Sequence, residues 1–430
     1  MRLRLATLAL LLAPAAALAQ GPQDYGSIYS RYALGQRFDG STSQASMMGI
    51  SGVAMRSGLY NGLANPALGA DQTLVTFSAE AAVRGVRATD ADGLTADATA
   101  ADLAMIQLGV PLYSGRLGLT ASYRPYTRVD YRAVSDGELR TDTDTLSYRV
   151  NLEGAGGLQR IALGAGGRLS KNLSVGASAE ALVGTIEYLQ RTEFPDGGAA
   201  FGETREARAT RLYGFTSTLG ATATLPSLAS ETDLLTVGAA MTLPTTLRGS
   251  RATTLGTSLD RDTLATEADG NVRLPLTAQG GIAYSTGERL AVSADVLYEP
   301  WSEFESDFTF GGFAADGSLD DLRNRLRVGG GVEVIPGGNR RGAGYWARTA
   351  YRLGAYTDRG LAAPQGTDIS AYALTGGVSM PTRFPGTRVD LGFEVGTRGQ
   401  ADGIYVRDLF WRGTFTLNFG DRWFVRRRLG

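Results

Sequence analysis

The 430-residue sequence contains no cysteine and no histidine, and Lys171 is its single lysine. Without cysteine, no disulfide can stabilise an exported chain, so closure of a sheet has to do so. Without histidine, serine–histidine hydrolase chemistry, histidine acid–base catalysis and histidine or cysteine zinc sites are excluded. We therefore predict no enzymatic activity, no metal site and no cofactor.

Charge imbalance and long apolar runs are scarce as well. The formal net charge is −1, which gives no support for a nucleic-acid partner. The segment Met1–Ala19 has arginines in front of the short apolar run Leu5–Leu12 and ends in small residues, so cleavage would fall before Gln20. These features predict a secretory signal peptide. No other stretch approaches the roughly twenty apolar residues of a membrane-spanning helix.

The sequence does contain a strict alternation of apolar with polar or small residues, which is clearest in Leu274–Phe304. A side-chain period of two is the period of a β-strand. Each arm has about the length of a tilted membrane-crossing strand, roughly ten residues. On the two arms, separated by a turn at Thr286-Gly287, the even positions carry the apolar side chains: Leu274, Leu276, Ala278, Ile282 and Tyr284, then Leu290, Val292, Ala294, Val296 and Tyr298.

The same alternation recurs from Leu74 to Phe419, and we find no helix-period stretch of comparable length. The last strand is rich in aromatic residues, which is typical of outer-membrane barrels. Besides the two arms, the predicted strands are Leu74–Arg87, Leu103–Leu112, Leu117–Arg124, Leu146–Leu169, Leu173–Val183, Tyr213–Ala223, Leu235–Met241, Leu326–Ile335, Tyr345–Leu353, Tyr372–Met380, Val389–Val395 and Leu409–Phe419.

The connections alternate between short turns and long loops, as in outer-membrane barrels, whose short turns face the periplasm. Short turns such as Ser170–Asn172 alternate along the chain with long loops such as Arg191–Glu206. The alternation holds only if Gly154, Gly156 and Gly157 lie inside one long strand. That interpretation predicts an even number of strands, about fourteen.

The positions of the charged residues predict which face of each strand is turned towards lipid. An arginine that faces lipid at the bilayer midplane costs on the order of 2 to 4 kcal/mol. A soluble β-sandwich would also alternate and stays an alternative, since it would leave these charges in water. If the sheet is a closed membrane barrel, these residues point inward: Arg116, Arg124, Arg160, Arg327, Glu333, Arg348, Arg352 and Glu394.

We therefore predict an all-β protein, a transmembrane antiparallel up-and-down β-barrel of about fourteen strands with an N-terminal plug. Residues 73–420 would form the barrel and residues 421–430 a basic tail. Residues 20–72 lack the alternation and would form a compact plug, or hatch, with short helical turns. A disordered tail is the alternative for residues 20–72, but their many apolar side chains are unusual for a solvated linker.

Several motifs together resemble the long-chain fatty acid and aromatic hydrocarbon transporters of the outer membrane, the FadL/TodX type. The segment Asn65-Pro66-Ala67 resembles the hatch motif of that family. The segment Gly156–Gly184 and the terminal FGDRWFVRRR are similar to the branch found in Bacteroidetes-type bacteria. Residues of the central hairpin resemble a second family motif: Pro275, Gly280, Asp295, Tyr298, Trp301 and Phe304.

This resemblance implies a monomeric, plugged barrel in the bacterial outer membrane. It would take up hydrophobic small molecules passively and release them sideways through a kinked strand. The glycines of Gly154–Gly157 are the candidate for that kink in the wall, with a simple bulge as the alternative. Its other partners would be outer-membrane lipid, lipopolysaccharide and, during biogenesis, the barrel-assembly machinery. A second functional hypothesis is a related barrel that serves as a scaffold for protein assembly or secretion.

Overall fold

The computed structural model describes residues 26–422, apart from residues 40, 141–144, 196–201, 229, 258–265, 312–320, 339, 341 and 385. Within these residues the chain forms one closed antiparallel barrel of fourteen wall strands. The predicted fold class is therefore confirmed. The predicted signal peptide, Met1–Ala19, and all but the first two residues of the predicted tail lie outside the described residues, and both stay predictions.

The wall strands are numbered β1 to β14 in chain order. Those formed by a single run are β1 Val75–Thr89, β2 Thr95–Tyr113, β4 Thr145–Arg168, β5 Leu173–Glu193, β6 Thr204–Pro226, β10 Arg325–Val334, β11 Ala350–Arg359, β12 Ser370–Pro381, β13 Arg388–Arg398 and β14 Arg407–Asp421. Those formed by two segments are β3a Leu117–Pro125 and β3b Tyr131–Arg140, β7a Asp233–Thr242 and β7b Thr245–Thr257, β8a Thr266–Leu274 and β8b Thr277–Thr286, and β9a Leu290–Glu299 and β9b Glu305–Ser306.

Each wall strand pairs with its neighbours in sequence, and β14 closes the barrel against β1 with Val75 opposite Asp421. Closure pairs the first strand with the last, so the barrel has no free end strand, which lipid requires because it offers no hydrogen-bond partners. The glycines of Gly154–Gly157 lie inside β4, which pairs with β5 without interruption from Arg149 to Arg168. The prediction of one long strand through these glycines is confirmed.

The face prediction also holds for most of the charged residues. Large apolar side chains point outward from the wall, and Leu163, Phe215 and Leu353 are 65%, 77% and 60% exposed. Six charged side chains face the bore as predicted: Arg124, Arg160, Arg327, Glu333, Arg352 and Glu394. Two others do not lie in the wall, because Arg116 belongs to an exposed turn and Arg348 to a 3₁₀ helix between strands.

The predicted parity of the central hairpin is wrong at its first residue. Leu274 is 2% exposed and belongs to the apolar core inside the bore, whereas Ile282 is 53% exposed on the outside. The reason is the break at Pro275-Leu276 between β8a and β8b. Proline cannot donate to the ladder, so the strand is interrupted and its faces exchange there.

Several strands are longer than predicted on the side of the long loops. The loop predicted between β1 and β2 shrinks to residues 90–94, and the segment β3b was not predicted at all. These strand ends carry polar or small side chains on both faces. They therefore lack the apolar alternation that marks a strand facing lipid.

The bore is filled by the hatch, which we define as residues 26–72. It contains a 3₁₀ helix at Ile28–Arg31, a two-residue strand at Gln36–Arg37, one α-helical turn at Ser43–Ser46 and a second 3₁₀ helix at Pro66–Asp71. Further 3₁₀ turns lie between wall strands, at Trp301–Glu303, Trp346–Arg348 and Pro364–Gly366. No helix of the described residues is long and apolar enough to span a membrane.

Candidate functional site

The third wall strand leaves the wall between β3a and β3b. There the chain turns inward, and its residues Thr127–Arg128 pair with the hatch strand Gln36–Arg37. On the other side, β3a and β3b both pair with β4, so they belong to one strand with an interruption. The interruption, residues 126–130, is therefore the point where the wall and the hatch meet.

The predicted kink glycines lie opposite this interruption and not at a break of their own. Gly156 and Gly157 have φ angles of +95° and +135°, a region that side chains rarely adopt. A Cβ on Gly157 would collide with the backbone oxygen of Thr127. The interrupted strand is β3, whereas β4 continues through these glycines, and their role as the kink of a release route stays a prediction. The β4 glycines provide the space into which β3 bends.

A buried network of ion pairs connects the hatch with the wall next to the interruption. Arg37 of the hatch donates to Glu299 of β9a at 2.6 Å. Asp39 of the hatch accepts two hydrogen bonds from Arg325 of β10, both at 2.6 Å, and pairs with Arg327 as well. We call Arg37, Asp39, Glu299, Arg325 and Arg327 the hatch lock.

Burial and charge oppose each other in the lock. Burial works against the charged form of Asp39, but Arg325 and Arg327 lower the pKa of Asp39 far below its ordinary value. Burial likewise disfavours the charged form of Arg37, but Glu299 raises the pKa of Arg37 above its ordinary value. Both hatch residues therefore stay ionised, and removal of one partner would leave an uncompensated buried charge.

The residues of the predicted hairpin motif divide between the two faces of the wall. Asp295 accepts a hydrogen bond from the backbone N–H of Gly52 at 2.8 Å, so it holds the hatch. The Trp301 indole donates to Glu299 at 3.0 Å, and Trp301 and Phe304 are buried with ring centroids 5.4 Å apart. In contrast, Tyr298 is 41% exposed on the outside.

Two further residues of this motif have plainer surroundings. Pro275 lies in the break between β8a and β8b, as described above. A Cβ on Gly280 would have no neighbour within 4 Å, so no close approach requires a glycine there.

The predicted hatch motif is at the interface as well. The side-chain oxygen of Asn65 accepts from the N–H of Ala67 at 3.0 Å and thereby caps the 3₁₀ helix that begins at Pro66. Its amide nitrogen donates to the carbonyls of Val53 in the hatch and Ala221 in β6, at 2.9 and 3.1 Å. Asn65 thus joins two parts of the hatch to the wall.

Sequence reasoning missed the glycines on the inner face of the wall. A Cβ on Gly354 would collide with the backbone of Met48, and one on Gly329 would collide with the backbone of Gly49. Gly220 of β6 faces Asn65 in the same way. These glycines let the hatch backbone lie directly against the wall. A glycine within a predicted strand is the signal that could have found them, because it marks a bulge or a close approach of another backbone.

Cavities remain between the hatch and the wall. A cavity of about 150 Å³ lies beside the hatch lock. The apolar residues of the bore form a solid core, in which Leu34 of the hatch and Phe304 of the wall are both fully buried. Charged residues that line the cavity include Arg37, Asp39, Glu80, Arg84, Arg325, Arg327, Asp358, Glu394 and Arg412.

A second cavity, of about 430 Å³, opens on the side of the short turns between the hatch and strands β7a to β13. At this end Arg352 donates to Glu333 at 2.6 Å, and Tyr60 of the hatch donates to Asp390 at 3.1 Å. The hatch is thus bonded to the wall at both ends of the bore. Among the described residues no group of three or more His, Cys, Asp or Glu side chains could hold a metal ion.

A closed barrel with an apolar outer belt, a filled bore and an interrupted third strand defines the class of plugged outer-membrane barrels. The sequence matches the BamG family over residues 1–430, and the protein belongs to this family. No curated protein matches the sequence significantly.

Several solved structures have the same fold. They include a Pseudomonas aeruginosa FadL homologue, with 12% identity, a TM-score of 0.60 and coverage of 90% of this chain and 100% of that one. The toluene transporter TbuX of Ralstonia pickettii has 17% identity, a TM-score of 0.57 and coverage of 89% and 99%. The monoaromatic hydrocarbon channel CymD has 17% identity, a TM-score of 0.55 and coverage of 89% and 98%. The predicted FadL/TodX resemblance is therefore confirmed for the fold.

Proposed function

We propose that this protein is an outer-membrane barrel that serves as a scaffold for protein assembly or secretion and keeps its bore closed. The observation that carries the proposal is the hatch lock. Charged groups of the hatch and the wall are paired inside the barrel, where breaking such a pair costs about 3 to 5 kcal/mol. A bore closed in this way suits a protein whose outer and end surfaces hold partners.

The likeness to known transporters and channels does not extend to their function. The family that matches the whole chain is BamG, whereas the solved structures named above share 12 to 17% identity, which is evidence for the fold alone. Function depends on sites placed on a fold. The cavity beside the lock is lined by many charged side chains, which makes it a poor site for a hydrocarbon, because an apolar solute gains free energy only by burying its surface against apolar groups.

Purification of the protein from its native membrane in mild detergent tests this proposal. We expect a protein partner to co-purify in a fixed molar ratio. It should remain bound in about 0.5 M salt, a concentration that screens weak attraction between surface charges. A preparation that contains the barrel alone, in several detergents and after crosslinking, would contradict the proposal.

A second candidate is passive uptake of hydrophobic compounds, either long-chain fatty acids or aromatic hydrocarbons, with lateral release through the wall. The interruption of β3 opposite Gly156 and Gly157 favours it, because a strand that leaves the wall opens a sideways route. Cells that produce the protein would then take up labelled oleate or toluene faster than vector controls. Equal uptake for each compound tested would exclude this candidate for those compounds.

A further inference from the structure

The interruption of β3 has a second result, a seam in the wall on the side of the long loops. Strand β2 pairs with β3a only from Ile106 to Tyr113. Among the described residues, its outer part, Thr95–Met105, pairs with β1 alone. Within the same part of the chain, the only strand that pairs with β3b is β4. Two strand edges therefore flank the seam without pairing to each other.

The base of the seam is closed by charged residues. Arg84 of β1 pairs with Asp102 of β2 at 3.2 Å and with Asp130 of the interruption. Arg128 of the interruption pairs with Asp102 at 2.9 Å. These pairs connect β1 and β2 to the inward bend, so the seam has a fixed floor.

The part of the seam nearer to the long loops lies outside the lipid. The outward side chains of β3b include Arg132, Asp136 and Glu138, and Asp97 of β2 also points outward; their side chains are about half exposed or more. Charges in these positions would be costly against lipid tails. Few large apolar side chains line the two edges, so neither a lipid chain nor an apolar solute is the fitting occupant.

On the side of the seam neither edge has a strand partner among the described residues, and a strand edge of this kind is a template for another strand. The third strand already recruits backbone in this way, because Thr127–Arg128 pairs with Gln36–Arg37 and the N–H of Gly26 donates to the carbonyl of Asp130. A strand placed between two such edges would complete the ladder on both of its sides.

We infer that the seam between β2 and β3b binds an extended segment of a partner protein by β-strand addition. This inference rests on the proposed scaffold function and names the surface that holds the partner. The main chain supplies the hydrogen bonds, and the small and polar side chains of the two edges leave room for the inserted strand.

Site-specific photo-crosslinking in cells of the native host tests the inference. A benzoylphenylalanine residue is placed at Thr99 on β2 or at Ser135 on β3b, both exposed. The control position is Glu187 of β5, which is exposed but pairs with Ala155 on one side and Ala209 on the other. Retention of the folded, heat-modifiable form on unboiled gels confirms that each variant is assembled.

We expect adducts from Thr99 and Ser135 at least tenfold above the Glu187 control. Peptide mapping should place both adducts in one extended segment of the same partner protein. Lack of an adduct, adducts with lipid or with a second copy of this chain, or equal yield from Glu187 would overturn the inference.

A backbone variant separates strand addition from mere proximity. In a strand, neighbouring N–H groups point to opposite sides, so of Ala98 and Thr99 one faces β1 and the other the seam. The variant replaces by proline whichever of Ala98 and Thr99 has its N–H towards the seam. It should leave the barrel folded and abolish the adduct from Ser135. A persistent adduct in that folded variant would contradict strand addition. If a partner co-purifies but crosslinks only elsewhere, the seam inference fails while the scaffold proposal stands.

Discussion

At the scale of single residues, buried charge holds the hatch in place. Asp39 accepts from Arg325 and pairs with Arg327; the side chains of Asp39 and Arg325 are almost fully buried, and that of Arg327 is 16% exposed. Charged side chains are seldom buried unless they are paired. The network therefore gives the hatch one defined position rather than many.

Replacement of Asp39 by Asn should weaken this position. The substitution leaves Arg325 and Arg327 with less compensation, at a cost of about 3 kcal/mol. We expect trypsin to cleave after Arg37 at least tenfold faster in D39N than in the wild type, as measured by mass spectrometry of the fragments. The control is Asp97→Asn in the exposed Arg87–Asp97 pair, which should leave cleavage unchanged. Equal cleavage of the wild type and D39N would show that the pair does not hold the hatch.

The glycine at position 354 provides a second test at this scale. In Gly354→Ala the new Cβ would collide with the Met48 backbone and destabilise the protein by about 1 to 3 kcal/mol. Gly280→Ala is the matched control, since a Cβ there has open space. Urea unfolding in detergent micelles, followed by tryptophan fluorescence, measures both. A Gly354→Ala variant as stable as Gly280→Ala would refute the close approach of hatch and wall.

Alkaline pH should loosen the hatch through Tyr60. Burial and the neighbouring Asp390 raise the pKa of Tyr60 from 10.0 to about 12. A raised pKa means that the stabilisation is complete below pH 10.0 and is lost as the pH rises through about 12. The difference in absorbance at 295 nm between the wild type and Tyr60→Phe should therefore show a titration centred well above pH 10. A midpoint at or below pH 10 would place the hydroxyl in water.

At the scale of elements, the interrupted third strand and the long fourth strand depend on each other. β3 can bend inward only because Gly156 and Gly157 of β4 have positive φ angles and no side chains. The sequence shows the glycines but not which of two neighbouring strands breaks. Pairing decides that, and pairing is not visible in a single sequence.

Gly157→Ala should disturb the interruption. The new Cβ meets the Thr127 carbonyl and the φ angle is unfavourable, so we expect a loss of about 1 to 3 kcal/mol. Gly413→Ala in β14, where a Cβ has no neighbour within 4 Å, is the control. Thermal unfolding of both variants in the same detergent decides the matter. If both lose equally little, the β4 glycines are not required for the bend.

The wall strands can be predicted from the sequence only in part. Alternation identifies the part of nearly every wall strand that is nearer to the short turns, for example β9a. There, lipid on one face and the hatch on the other require side chains of opposite polarity on the two faces. It does not identify β3b or the start of β2, because water on both faces imposes none. The parity of Leu274 was wrong for a related reason, since the proline break exchanges the faces.

For the whole molecule, the hatch motif and the hairpin motif were visible in the sequence, but Glu299, Arg37 and Arg325 were not. Each of these charges is ordinary as a single residue. Their role appears only when β9a, β10 and the hatch come together, more than 250 positions apart for Arg37 and Glu299. Long-range pairing of charges carries no local signal.

A filled bore predicts that the wild-type protein conducts no ions. In planar lipid bilayers we expect no steady open-pore current from the wild type, in contrast to the water-filled channels of porins. D39N should show brief current steps as the hatch moves, whereas Asp97→Asn should stay silent. A stable conductance in the wild type would show that the bore is open.

The hatch leads directly into β1, and β1 meets its second neighbour, β14, only at the other end of the chain. The ring can be sealed only after all thirteen earlier strands exist, whereas the hatch is attached directly to the first of them. We therefore expect the wall to close around the hatch, and a hatch supplied later as a separate peptide to find no way in.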